Sequence, residues 1–113
     1  MSRSRSAAAQ VADAAPVFAA LGDETRLALV ARLSGGGPLS IVRLSEGAGV
    51  TRQAVTKHLH ALAGAGLVRH SRQGRERIWE LEPKRLERAR QYLDGISDQW
   101  DQAIRRLKAF VEE

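Results

Sequence analysis

The sequence predicts a mainly α-helical domain with one small β-hairpin, and three observations predict it. Apolar residues return every three or four positions near both ends of the chain, which is the helical period. Two short helical segments near the centre are separated by Gly47 and Gly49, which leave room only for a tight turn. Residues 67–81 then read as two strands around Gly74, a residue that supplies the positive φ of hairpin turns.

Each element follows from local residues. Val11, Ala14, Ala15, Phe18 and Leu21 place a first helix between about Gln10 and Leu21, and Gly22 ends it. Residues 1–9 are expected to form a flexible tail with Arg3 and Arg5 solvated. Asp23 is the N-cap of a second helix, and Glu24 sits in its first turn, where the helix dipole favours an acid. Leu27, Val30, Ala31 and Leu33 give that helix its apolar face, and Gly35-Gly36-Gly37-Pro38 breaks the chain. A short helix follows from about Ser40 to Ala48, with Ile41, Leu44 and Ala48 inward. Thr51 caps the next helix, Arg52 to Ala63, which packs through Ala54, Val55, His58, Leu59 and Leu62. Arg52, Gln53, Thr56, Lys57 and His60 are left on its outer side, and the run Ala63-Gly64-Ala65-Gly66 stops it.

Leu67 to Arg72 and Arg75 to Leu81 form the hairpin, with Gln73-Gly74 as its turn. Pro83 suits the first position of a helix, which Leu86, Ala89, Tyr92 and Leu93 carry to Gly95, a kink or a short break. Ile96, Trp100, Ile104, Leu107 and Val111 then recur at helical spacing and make the last segment strongly amphipathic. Residues 10–113 therefore form one domain: a helix-turn-helix over about 40–64, a wing over about 67–81 and C-terminal helices over about 83–112.

Composition narrows the function. The chain is 43% hydrophobic, enough for a real core, and its only aromatics are Phe18, Trp79, Tyr92, Trp100 and Phe110. It has no cysteine, so disulfides, thiolate zinc sites and cysteine nucleophiles are excluded and a cytoplasmic location is expected. No apolar run is long enough to span a bilayer, and Gln10 and Asp13 interrupt the alanine-rich N-terminal stretch that would otherwise read as a signal segment. No nucleophile sits beside a base and no glycine-rich phosphate loop opens a helix, so an enzyme is not expected, nor a cofactor.

The charge is concentrated in one place. Between Thr51 and Arg77 stand Arg52, Lys57, Arg69, Arg72, Arg75 and Arg77 against the single acid Glu76, a surplus equal to the +5 of the whole chain. A basic block on a neutral background is the footprint of a polyanion-binding surface. Phosphates need cations and short donors; base edges need Arg, Gln, Lys or Thr at the front of a helix. Thr51, Arg52, Gln53, Thr56, Lys57 and His60 supply these on the second helix of the pair, with Arg52 suited to guanine and Gln53 to adenine. Arg72, Gln73, Arg75 and Arg77 supply them on the wing. Double-stranded DNA is the expected partner, since sequence-specific RNA readers offer exposed aromatics and the only one near this basic window, Trp79, falls at a core position.

The segments LGDETRLALVARL, LSEGAGVTRQAVTKHLHALAGAGLV and QGRERIWEL, in that order across about residues 17–83, resemble the ArsR/SmtB family of bacterial winged-helix repressors. The resemblance implies a homodimer that binds an inverted-repeat operator. It also implies an interface made by the first and last helices, here Val11 and Phe18 with Ile96, Trp100, Ile104, Leu107 and Val111. The C-terminal stripe asks for a partner independently, because a monomer has little with which to cover it.

The family is best known for metal sensing, and here the sequence departs from it. The thiolate pair falls on Ser40 and Val42. The C-terminal site falls where Asp94, Asp98 and Asp101 stand without a histidine, which reads as a solvated face with Asp101 paired to Arg105. His58 and His60 point in different directions and cannot share an ion; His70 is a minor phosphate contact in the wing. No metal site is expected. The segment ISDQWDQAIRRLKAFVEE resembles a metal-independent branch whose inducers are small molecules or lipids, or which has none. The expected function is thus a dimeric DNA-binding repressor without a thiolate switch. The alternatives are a winged-helix protein-interaction module or a regulator answering a non-metal small molecule or lipid.

Overall fold

A computed structural model describes residues 6–112. The expected solvation of Arg3 and Arg5 lies outside the described residues. Residues 7–9, expected in the tail, are helical, because helix α1 spans Ala7–Leu21. The Ser6 hydroxyl accepts the Ala9 amide at 3.1 Å, and the alanine run behind this cap has high helix propensity.

Helix α2 spans Glu24–Gly36, and the Asp23 carboxylate accepts the Arg26 amide at 3.0 Å. Its inner face is Leu29, Val30 and Leu33; Leu27, expected inward, is 54% exposed, and Ala31 is exposed too. The cause is local: Leu27-Ala28-Leu29-Val30-Ala31 is apolar throughout, so periodicity alone does not select the face. Helix α1 shows the same shift, burying Ala14, Val17 and Ala20 while Phe18 and Leu21 are half-buried and Val11 and Ala15 exposed.

A two-residue strand, β1 (Leu39–Ser40), was not expected, being too short for periodicity to reveal. Helix α3 (Ile41–Ser45) is shorter than its expected span, and α4 (Arg52–Gly64) follows the turn through Gly47 and Gly49. Strands β2 (Val68–Gln73) and β3 (Glu76–Leu81) form the hairpin, turning at Gly74 (φ 64°) and Arg75. The sheet is antiparallel in the order β1-β3-β2, with Leu39 opposite Trp79 and Ser40 opposite Ile78. Helix α5 runs without a break from Pro83 to Glu112, straight through Gly95.

Two details fix the helix-turn-helix against this sheet. Beyond α4, the Leu67 amide donates to Leu62 O at 3.0 Å and the Gly66 amide to Ala63 O at 3.0 Å, with Gly66 at φ 78°. This paired closure turns the chain directly into β2. At the other end the Arg32 guanidinium donates to the carbonyls of Arg43 (2.7 Å), Leu44 (2.9 Å) and Glu46 (3.2 Å), satisfying the C-terminus of α3 and locking it to α2. The core beneath consists of Val17, Leu44, Val55, Leu59, Leu62, Leu67 and Trp79, all essentially inaccessible.

Candidate nucleic-acid interface

The front of α4 is built by its cap. Thr51 Oγ1 accepts the Ala54 amide at 3.0 Å, which starts the helix and leaves the hydroxyl proton available. Arg52, Gln53, Lys57 and His60 are exposed because Val55, Leu59 and Leu62 take the opposite face. Thr56 is half-buried, and its hydroxyl donates to Arg52 O at 3.0 Å. Its donor capacity is thus spent inside the helix, which leaves a methyl group and acceptor lone pairs to face outward.

Register sets the wing. Val68 opposes Leu81, His70 opposes Trp79 and Arg72 opposes Arg77, so these six share one face of the hairpin. Val68 and Trp79 are buried on that face, and Arg72 and Arg77 continue it outward to the tip. The other face carries Arg69 opposite Glu80, Ser71 opposite Ile78 and Gln73 opposite Glu76. There Arg69 donates to Glu80 at 2.9 Å and to Glu82 at 2.7 Å. The hydrogen bond to Glu80 and the charge of both acids raise the Arg69 pKa above its ordinary value. Arg69 is thereby neutralised within the fold, while Arg52, Lys57, Arg72, Arg75 and Arg77 form no ion pair among the described residues.

These elements meet at an open groove of about 300 Å³. Arg52 and Thr56 line it from α4, Arg72, Arg75, Glu76, Arg77 and Trp79 from the wing, and Ser40, Ile41 and Val42 from the start of α3. Of the residues predicted to meet DNA, the groove therefore gathers Arg52, Thr56, Arg72, Arg75 and Arg77. Thr51, Gln53, Lys57, His60 and Gln73 stand outside its lining, all exposed. The α3 contribution escaped the sequence reading. Its one signal was Ser40, whose hydroxyl accepts the Arg43 amide at 3.3 Å and so marks a helix start beside the strand.

The histidines separate as three different environments. His58 is half-buried with Nδ1 3.8 Å from the Asp23 carboxylate, which joins α4 to the start of α2. His60 is exposed but lies edge-on to Trp79, with ring centroids 5.5 Å apart, and to His70 at 6.3 Å. His70 lies against its cross-strand partner Trp79 with ring centroids 4.6 Å apart and the planes tilted by 55°. His60, expected on the outer, DNA-facing side of its helix, and His70, expected as a minor phosphate contact, both lie against the Trp79 ring.

The second predicted surface lies on α1 and α5. Phe18 packs 6.3 Å from Tyr92 and Arg88 lies 3.7 Å from Asp13, which hold the first half of α5 against α1. Beyond that contact α5 is bare: Trp100 is 67% exposed, and Ile104, Leu107, Phe110 and Val111 are exposed with it. Ile96, nearer α1, is half-buried. Asp94, Asp98 and Asp101 are exposed, and the expected Asp101–Arg105 pair is not formed among the described residues; the surface pair on this helix is Arg90 with Glu87 at 3.6 Å. No helix among the described residues is long and apolar enough to cross a membrane.

Comparison with known proteins places this arrangement. Residues 21–71 match a family model described as a helix-turn-helix domain. The HTH-type transcriptional regulator Rv2034 of Mycobacterium tuberculosis is 39% identical over 85 residues, covering 75% of this chain and 76% of that protein. An ArsR-like transcriptional regulator from Rhodococcus sp. RHA1 superposes with a TM-score of 0.75 at 35% identity, over 90% of this chain and 95% of that one. A homodimeric winged helix-turn-helix DNA-binding domain from Mycobacterium bovis superposes with a TM-score of 0.64, over 88% of this chain and 91% of that one; at 22% identity it speaks to the fold alone.

Proposed function

Since the chain belongs to the ArsR family of winged helix-turn-helix transcriptional regulators, we propose that it acts as a homodimeric repressor at an inverted-repeat DNA operator and carries no thiolate metal switch. The observation that carries this reading is the groove at which Arg52 of α4 meets Arg72, Arg75 and Arg77 of the wing. Arg72 and Arg77 are cross-strand partners. Like charges directly opposite each other destabilise a strand pair, so this placement favours a ligand that brings negative charge to the wing.

In this reading Arg52 and Gln53 read base edges, while Thr51, through its spare hydroxyl proton, and Lys57 hold phosphates. Arg72, Gln73, Arg75 and Arg77 follow the backbone beside the wing. Thr56 serves as an apolar contact, its methyl group suited to thymine, and His60 adds a donor at the edge. Val11, Phe18, Ile96, Trp100, Ile104, Leu107 and Val111 form the dimer seam. Ser40 and Val42 occupy the positions of the family's thiolates and offer no soft ligand, so relief of repression falls to a non-metal signal.

Selection of duplexes from a random library by the purified protein, at physiological salt, tests this. The expected product is an inverted repeat with two equal half-sites. Enrichment no better than random sequence would sink the reading. On the selected duplex, Arg52→Ala should cost about 1–3 kcal/mol and relax one position in each half-site. Arg75→Ala should weaken all sequences alike and lower the logarithmic salt slope by about 0.9 per half-site.

A further inference from the structure

We propose that the groove between α4 and the wing also binds a compact polyphosphate, the triphosphate of a nucleotide or its inorganic equivalent, and that this anion excludes DNA. The exclusion rests on the DNA-binding reading above; the binding itself does not.

Four guanidinium groups, those of Arg52, Arg72, Arg75 and Arg77, line one concave space with Glu76 as its only acid. None of the four forms an ion pair among the described residues, whereas Arg69 on the opposite face of the wing is fully engaged by Glu80 and Glu82. The cations are therefore sorted: one face of the hairpin is internally neutralised and the other holds its charge for a ligand. A duplex backbone spreads its phosphates along each strand. A triphosphate concentrates several negative charges on a short chain, which matches a cluster of planar, bidentate donors. The space is concave because α3 closes one side of it, and Ser40, whose hydroxyl accepts the Arg43 amide and keeps its proton, adds a donor to the lining. Ile41 and Val42 form an apolar wall beside the cations, a surface against which a nucleobase can lie.

Occupancy of this groove neutralises the groups that DNA needs. Repression would then fall as polyphosphate rises, without any metal ligand.

The test is calorimetric titration of the full-length protein with inorganic triphosphate and, separately, with ATP, both without magnesium and at constant ionic strength. Fluorescence anisotropy of the selected duplex is followed in parallel. One site per chain is expected, and triphosphate at about nine times its Kd should weaken duplex binding about tenfold for each groove the duplex occupies, about a hundredfold for a dimer on the full inverted repeat. Tighter binding of ATP assigns a role to the apolar wall; equal binding assigns the site to phosphate alone; either supports the proposal. Arg72→Gln and Arg77→Gln should each weaken triphosphate binding several-fold, while Arg105→Gln on α5 should not. If circular dichroism shows either wing variant unfolded, Arg75→Gln at the exposed turn replaces it. Sulfate at matched ionic strength displacing DNA equally well, or triphosphate binding indifferent to all three wing substitutions, overturns the proposal. Duplex binding without triphosphate binding overturns this inference alone. Triphosphate binding without sequence preference overturns the DNA reading alone.

Discussion

Arg72 and Asp23 show how single residues divide between function and folding. Arg72 faces Arg77 across the hairpin, a like-charge pairing that destabilises the free protein. Arg72→Gln should therefore raise the melting temperature while lowering affinity for the duplex, and paired thermal melts and binding isotherms check both signs. A variant that lost stability and affinity together would assign Arg72 a structural role instead. Asp23 is the opposite case. Its carboxylate accepts the Arg26 amide and lies near His58, and first the backbone hydrogen bond, then the charges of His58 and Arg26, hold its pKa below the ordinary value. A group whose pKa is lower when folded favours the native state above its unfolded pKa of about 3.9, and loses that contribution as pH falls through the folded value. Acid unfolding followed by circular dichroism should accordingly be less steep in this range for Asp23→Asn, which keeps the cap but not the titration. The capping roles of Asp23 and Thr51 were legible in sequence because a cap is a local device. The pairing of Asp23 with His58 was not, since it joins residues far apart in the chain.

At the scale of elements, the two glycines near the ends of α4 and within α5 have opposite meanings. Gly66 holds φ 78°, and a Cβ there would lie 2.9 Å from Arg85 Cγ. Gly66→Ala should destabilise the protein by more than about 1 kcal/mol through strain at positive φ. Gly95 lies in the continuous helix with open space around its Cα, so Gly95→Ala should stabilise by about 1 kcal/mol. Urea denaturation of both variants measures the contrast. A sequence shows both as helix-ending residues, and only packing separates them. The same limit explains the inner faces of α1 and α2. Order, turns, the wing and the outer face of α4 were readable because their apolar and polar residues segregate. The alanine-rich stretch of α1 and the nearly uniform Leu27–Ala31 run give no such segregation, so neighbouring elements decide which side is buried. Strand β1 and the carbonyl clamp of Arg32 depend on long-range partners and left no pattern to read.

The molecule as a whole is far from spherical. Its radius of gyration is 18.4 Å and its extents are 66 × 39 × 20 Å, whereas a compact chain of this length would have a radius near about 13 Å. The excess is the distal half of α5, projecting with its apolar stripe uncovered. Leu107→Glu should convert a dimer to a monomer in analytical ultracentrifugation, with circular dichroism retained and affinity for the full inverted repeat falling to that for a half-site. A second consequence follows from the junction at Glu82. Strand β3 ends at Leu81 and α5 begins at Pro83, and α5 then runs unbroken from its contact with α1 to the end of the stripe, so a single helical rod fixes the direction of the stripe against the domain that carries the wing. Such a rod is an angular ruler. One alanine inserted at Gly95 turns the distal stripe through about 100° against the wing and puts the two out of phase; seven bring it to within about 20° of its starting direction, about 10 Å further along. If the chain acts as the proposed dimeric repressor, repression should vanish with the first insertion and return with the second, on an operator whose half-sites have been moved apart to match.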